Sequence, residues 1–191
     1  MRTCYTMFLL AVLCVACGGD DGGGGGGGDG HCDPGGGAFF RAQLAGGTTL
    51  TVDAGAADMG CGGASFGAGG SGFSMAFGSI ATDVAGSEVS FIVSARDLGA
   101  GQTGSFMGDI SVTRSASDDA TYMGGMWNTP DNDCTLAITQ HELTDSGAGG
   151  ELYTVSGTGT CPSPLKVGIF GDADITMTGL VFSGVTAWTT Q

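Results

Sequence analysis

Charged residues are scarce in this sequence, and basic residues are scarcer still. Charged side chains make up 13% of the chain, about half of the fraction usual in globular proteins. Five Lys and Arg residues face 19 Asp and Glu residues, which gives a formal net charge of −14. Such a chain repels the phosphates of nucleic acids and the headgroups of anionic lipids. We therefore expect no nucleic-acid partner.

Helical patterning and metal-binding motifs are also missing. No stretch sustains apolar residues at positions i, i+3, i+4 and i+7 together with capping residues. After Cys17, no two cysteines are close enough in sequence for a C-x-x-C zinc motif. These absences argue against a helical domain and against zinc, and we predict neither a metal site nor a cofactor.

Glycine is abundant instead, with 40 residues among the 191 of the chain, where a share of about 7% is usual. Residues 18–37 are mostly glycine and aspartate. Because this segment has almost no side chains that could bury apolar area, it is predicted to be an unfolded tether. A chain of this length between Cys17 and Ala38 has an r.m.s. reach of about 25 Å.

Beyond the tether, apolar and polar residues alternate with a period of two in short runs bounded by Gly, Asp and Asn. This pattern is typical of β-strands and turns, so residues 38–191 are predicted to form an all-β domain. About nine strands with hairpin connections favour an antiparallel β-sandwich, with an up-and-down β-barrel as the alternative. Residues 58–72 are expected to form a glycine-rich loop, and Gly179 is expected to mark a bulge in the last strand.

The N-terminus has the features of a signal peptide. A positive start at residues 1–3 precedes ten apolar residues at positions 7–16, too few to span a bilayer but typical of a signal-peptide core. The following Cys14-Val15-Ala16-Cys17 resembles the lipobox of bacterial lipoproteins at its last three positions, with Cys14 where leucine is usual. The resemblance implies that residues 1–16 are removed and that Cys17 becomes the acylated first residue of the mature chain.

This resemblance implies a location and a means of attachment. Several acyl chains on Cys17 would anchor the protein stably in a lipid bilayer. The expected protein is a cell-envelope lipoprotein of the outer membrane, on its periplasmic or surface face, with a lipidated tether over residues 17–37. Its β domain is expected to have a non-catalytic binding or structural role, with an envelope protein or a glycan as partner. The alternative is a secreted protein cut near Ala16, with Cys17 as a spare thiol.

Four cysteines remain after Cys17, an even number that favours two disulfides in an exported chain. Folding residues 134–161 as a hairpin about Gly147–Ala148 places Cys134 opposite Cys161, within disulfide range. The same register puts four further pairs on one face: Leu136 with Gly159, Ile138 with Gly157, Gln140 with Val155, and Glu142 with Tyr153. We predict a Cys134–Cys161 disulfide and, by elimination, a Cys32–Cys61 disulfide.

A hydrolase is a further hypothesis, based on one short motif. Residues 63–67 match G-x-S-x-G with Ser65 at the nucleophile position, and His141 is the one candidate base outside the tether. The motif requires a strand, a sharp turn and a helix within an alternating α/β fold. An all-β chain lacks that context, so we predict no catalytic residue.

Two binding hypotheses also compete with structural interpretations. The acidic turn at residues 131–133, with Asp172 and Asp174, has oxygen ligands suited to calcium, although Asp and Asn are common in ordinary turns. Aromatic residues could form a stacking platform for sugars, although aromatics on strands more often fill the core. They are Trp127, Trp188, Tyr122 and Tyr153. The alternative function is therefore a tethered calcium- or carbohydrate-binding module.

Overall fold

The computed structural model describes residues 37–66, 71–118, 124–130, 133–147, 150–168, 170–171 and 173–188. The predicted signal peptide and nearly all of the predicted tether lie outside these ranges. Within them, the chain forms eleven β-strands and one short 3-10 helix, Ala56–Asp58. The strands are β1 (Phe39–Gly46), β2 (Leu50–Gly55), β3 (Gly60–Ser65), β4 (Gly72–Ala81), β5 (Glu88–Arg96), β6 (Gly104–Arg114), β7 (Gly125–Asn128), β8 (Cys134–Gly147), β9 (Gly150–Thr160), β10 (Lys166–Val167) and β11 (Ile175–Trp188).

Seven of these strands close into a barrel. The ring of hydrogen-bonded neighbours runs β3, β4, β5, β6, β8, β9, β11 and back to β3. Every pair in the ring is antiparallel except β11 with β3, which is parallel and registers Ala187 with Ala64. The parallel closure follows from the odd number of strands, because alternating directions give the first and last strands the same direction. The all-β class is therefore confirmed, and the closed barrel corresponds to the alternative rather than to the favoured sandwich.

The remaining four strands extend the sheet beyond the ring. β1 pairs with the first half of β11 and with β2, while β7 pairs with the end of β6 and with β10. β1 also packs over the barrel interior, since the ring of Phe40 lies 4.2 Å from that of Phe91 and 4.8 Å from that of Phe77, between centroids. The end of the barrel beside β1 and β2 therefore has a second layer.

The core consists of the residues that the period-two pattern placed together on one face of each strand. Burial of a Val or Phe side chain contributes about 1.5–3 kcal/mol, so these faces supply most of the stabilisation of the barrel. Two of these inward faces are fully buried along their runs: Phe73, Met75 and Phe77 on β4 and Val89, Phe91, Val93 and Ala95 on β5.

The prediction of a loop over residues 58–72 is wrong for its first half, which forms β3. This strand pairs with β4 along its whole length and closes the barrel against β11. One of its three glycines, Gly63, lies where neighbouring atoms leave no room for a side chain. A Cβ on Gly63 would lie 2.8 Å from the Ser74 carbonyl oxygen and 3.1 Å from Thr186 Oγ1. Glycine here permits close strand approach, whereas the sequence pattern indicated a turn.

The β8–β9 hairpin confirms the predicted disulfide and the first three of the five predicted pairs, the last of them Ile138 with Gly157. Cys134 and Cys161 are bonded, with 4.2 Å between their Cα atoms, and Leu136 faces Gly159 as expected. Beyond Ile138 the predicted pairs are wrong, because β8 contains two extra residues that shift the ladder. The turn therefore falls between Gly147 and Gly150. The bulge expected at Gly179 is confirmed: the pairing of β1 with β11 shifts there, and Gly179 has φ +64°.

Candidate functional site

Different polar side chains occupy the two ends of the barrel, His141 at one and Arg114 at the other. At the His141 end, where β3 and β11 finish, the β3–β4 and β5–β6 connections are joined by a hydrogen bond. The Asp97 amide of the β5–β6 connection donates to the Ser71 carbonyl at 2.8 Å. Leu98 in the same connection is fully buried. The His141 end is therefore covered by the chain itself.

A β-bulge turns His141 into the barrel. β8 has an extra residue, Thr139, between its pairs with Gly157 and Ser156 of β9. Because side chains alternate between the two faces of a strand, one extra residue moves every later side chain to the opposite face. His141 therefore points inward, at the position where the regular ladder predicted Gln140.

His141 is buried among aromatic rings. The residue is 3% exposed, and its ring centroid lies 4.9 Å from that of Tyr153 and 5.0 Å from that of Trp188. Its Nδ1 atom lies 3.1 Å from the carbonyl oxygen of Gln102, in the connection that covers this end. The imidazole therefore links the barrel wall to the covering segment.

This environment determines the protonation of His141. Burial lowers the pKa of the imidazole, and the hydrogen bond to the Gln102 carbonyl opposes part of that shift. A carbonyl oxygen only accepts, so the neutral ring carries its proton on Nδ1 and leaves Nε2 as an acceptor. Within the described part of the chain, Nε2 is buried without a hydrogen-bond partner, and so is the Thr186 hydroxyl.

The Glu151 carboxylate fixes the ring of Tyr153 at the His141 end of the barrel. The Tyr153 hydroxyl donates to Glu151 Oε2 at 2.9 Å. Burial raises the pKa of Tyr153, and both the hydrogen bond to Glu151 and its charge raise it further. Tyr153 therefore remains a neutral donor at ordinary pH, and its ring is fixed beside His141.

Arg114 fills the opposite end, where it is the last residue of β6 and is 6% exposed. Its guanidinium donates to Thr48 Oγ1 at 2.6 Å and to Ser87 Oγ at 3.1 Å. The exposed Asp83 carboxylate lies 3.7 Å away. The hydroxyls belong to the β1–β2 and β4–β5 connections, so this one side chain joins three segments. These contacts are typical of an arginine with a structural role.

Ser65 and His141 do not form a nucleophile–base pair. Ser65 is the last residue of β3, whereas the nucleophile motif requires a turn between a strand and a helix. His141 Nδ1 is engaged by Gln102, and Nε2 has no partner among the described residues. Neither ring nitrogen therefore accepts the proton of the Ser65 hydroxyl.

The described residues do not bring together the ligands that the calcium hypothesis requires. Residues 131, 132 and 172 lie outside the described residues. Lys166 donates to Asp174 at 2.7 Å and the Val167 amide donates at 3.1 Å; these two bonds hold the pKa of Asp174 below its usual value. In the described ranges, no group of three or more His, Cys, Asp or Glu residues is arranged to hold a metal ion.

The aromatic residues proposed as a sugar platform face the interior. Trp127 is fully buried, and its indole N–H donates to the Ala173 carbonyl at 2.8 Å. Trp188 and Tyr153 are 2% and 8% exposed. Tyr122 lies outside the described residues. The three described rings fill the core and are not accessible as a stacking surface.

The remaining predicted site residues are cysteines. Cys17 and Cys32 lie outside the described residues. Cys61 takes part in a disulfide, and because Cys134 and Cys161 bond to each other, its partner belongs to the part of the chain outside the described ranges. The assignment of Cys32 to that bond stays a prediction.

Comparison with protein-family models, with curated proteins and with solved structures finds no match to this chain. Among the described residues, no helix has the length and apolar character needed to cross a membrane. Thr186 and Arg114 were not predicted as site residues from the sequence, since neither belongs to a motif. Both lie at inward positions of their strand's alternation, where a polar residue is rare, and this signal could have identified them.

Proposed function

We propose that this chain is an exported cell-envelope lipoprotein, anchored through acyl chains on Cys17, with a β domain that has a binding or structural role. The observation that carries the proposal is the position of Cys17, directly after the ten apolar residues 7–16 and the small residues of the lipobox. The Cys134–Cys161 disulfide supports export, because such bonds persist in oxidising compartments and are rare in the cytosol.

The proposed anchor and the domain are joined by a segment that suits a tether. β1 begins at Phe39, which pairs with Ser183 on one side and Gly55 on the other, so the preceding segment meets the domain at its wall. Residues 18–37 would then give the domain a reach of about 25 Å from the bilayer. We propose the outer membrane as its location, on the periplasmic or surface face, with an envelope protein or a glycan as partner.

A non-catalytic role agrees with how the polar side chains are used. The His141 nitrogens are not directed at Ser65, and Arg114 is engaged by hydroxyls of the β1–β2 and β4–β5 connections. These contacts support the barrel rather than activating a nucleophile. Trp127, Trp188 and Tyr153 are buried and offer no stacking platform for a sugar, so of the two proposed partners an envelope protein is favoured over a glycan.

The proposal is tested by the intact mass of the membrane-extracted protein, compared between wild type and Cys17→Ala. We expect a wild-type chain that begins at Cys17 and carries acyl mass, and a Cys17→Ala chain that lacks it and leaves the membrane fraction. Cys14→Leu is the matched control, because it restores the usual first lipobox residue and should leave the modification in place. An unmodified soluble wild-type chain cut near residue 16 would show that the protein is secreted and not lipidated.

A further inference from the structure

The closure between β3 and β11 has the fewest paired residues of any junction in the ring. Both strands lie wholly within the described ranges, and a single pair, Ala64 with Ala187, registers them. On its other edge, β11 pairs with β9 at every position from 180 to 188. Backbone hydrogen bonding therefore holds β3 to β11 only weakly.

The side chains of β3 add little to its attachment. The strand reads Gly-Cys-Gly-Gly-Ala-Ser, and none of these six residues is buried. Elements with few buried apolar contacts are the ones that open locally at low cost in free energy. Apart from its pairing with β4, β3 therefore needs a further attachment to stay in the barrel wall.

Cys61 supplies a covalent attachment for this strand. It is disulfide-bonded, and it lies opposite Phe77 of β4, whose side chain is fully buried in the core. Because directly opposed residues share a face of the sheet, the Cys61 side chain also points inward. Its Sγ atom would lie 3.5 Å from a Cβ on Gly184 of β11. The disulfide therefore lies at the inner face of the β3–β11 closure.

The chain that precedes β1 meets β11 at the same level. β1 runs antiparallel to β11 with Phe39 opposite Ser183, and this register continued by one residue places Ala38 beside Gly184. Ala38 is 4% exposed, so it too is enclosed there. Cys32 comes six residues before Ala38, a segment that extends to at most about 20 Å. Of the cysteines outside the described ranges, Cys32 is the nearest along the chain to this point.

We propose that the disulfide of Cys61 is a clamp that holds β3 in the barrel wall, and that Cys32 is its other half. The clamp joins the start of the folded domain to the strand that packing holds least. It forms by thiol–disulfide exchange: the two thiols are oxidised, and their two protons and two electrons pass to a disulfide oxidant. This role goes beyond the proposed acylation of Cys17 and does not depend on it.

The clamp also determines the free length of the tether, a consequence that does rest on the proposed acylation. With Cys32 bonded to the barrel wall, only residues 18–31 separate Cys17 from the domain. The r.m.s. reach of the tether then falls from about 25 Å to about 21 Å. The tether leaves the domain beside the β3–β11 closure.

The first test maps the bond in unreduced wild-type protein and in Cys17→Ala. Proteolytic cleavage before aspartate places Cys17 and Cys32 on separate peptides, because three aspartates lie between them. We expect peptide 29–32 to be linked to peptide 58–82 in both proteins. A link from Cys61 to any other cysteine overturns the clamp. Loss of acylation in Cys17→Ala with the link intact separates the clamp from the proposed anchor.

The second test measures hydrogen exchange in a Cys32→Ser/Cys61→Ser variant of residues 17–191 without reductant. The ratio of the exchange rate of β3 amides to that of β5 amides should rise by at least about tenfold, because β3 then opens locally while β5 stays paired on both sides. A ratio equal to that of the wild type would refute the clamp. If this variant does not fold, the mapping test still decides, since it leaves Cys61 unchanged.

The matched control is the Cys134→Ala/Cys161→Ala variant, which removes the other disulfide and leaves the clamp in place. A general loss of stability raises the exchange of β3 and β5 together, so their ratio should stay within about threefold of the wild type. An equal rise of the ratio in both double variants would assign the effect to global destabilisation and would contradict the clamp.

Discussion

Removal of the Cys134–Cys161 disulfide offers a quantitative test of the hairpin. The bond closes a loop with a sequence separation of 27 residues. In the chain-entropy description, a loop of that length restricts the unfolded chain by about 3.5 kcal/mol at 25 °C. For a domain of this size, each kcal/mol shifts Tm by about 2–4 °C, so the expected loss is about 7–14 °C.

The assay is urea and thermal unfolding of a Cys134→Ala/Cys161→Ala double variant of residues 17–191, compared with wild type without reductant. The double change leaves no unpaired thiol from this bond. The control is Thr135→Ala/Thr160→Ala, which alters the neighbouring pair of the same ladder. These two residues are exposed, so their replacement should cost no more than about 1 kcal/mol.

The magnitude decides whether the entropic reasoning is right. A loss near 3.5 kcal/mol with a steeper dependence on urea would agree with a loop constraint on the unfolded chain, because an unfolded chain without the bond is less compact. A loss below about 1 kcal/mol, no larger than that of the threonine control, would refute it. That result would mean that the β8–β9 ladder already holds the two strands together in the unfolded ensemble.

Two further changes test the packing of the barrel and of its Arg114 end. Gly108→Ala should destabilise the fold by about 1–3 kcal/mol, because a Cβ there would lie 2.6 Å from both Leu136 Cδ1 and the Ser94 carbonyl oxygen. The control Gly62→Ala should be neutral in the same urea titration, because no atom lies within 4 Å of a Cβ at that position. Arg114→Met should cost about 2–3 kcal/mol, because it removes three hydrogen bonds and leaves the buried Thr48 hydroxyl unpaired. Asp83→Asn should cost at most about 1 kcal/mol because Asp83 is exposed, and similar losses in both variants would place the stabilisation in the ion pair.

Local features of this protein were readable from its sequence. Alternation with a period of two identified the buried faces of β4 and β5, since side chains on a strand point alternately to its two sides. Two cysteines at equal distances from a predicted hairpin turn predicted the Cys134–Cys161 bond. A glycine within an apolar run predicted the bulge at Gly179. Each of these features depends on neighbours within one strand or one hairpin.

The tertiary structure alone decided which strands meet and which polar groups are enclosed. β3 has almost no side chains, so its role in closing the barrel against Ala187 follows from the backbone of distant strands. The bulge at Thr139 placed His141 inside the barrel, because one extra residue reverses the alternation of side chains. A threonine at that position does not predict a bulge. Arg114 is buried because hydroxyls from two separate connections converge on it. Alternation assigns residues to faces, but ring closure, register shifts and convergence of loops depend on contacts far apart in sequence.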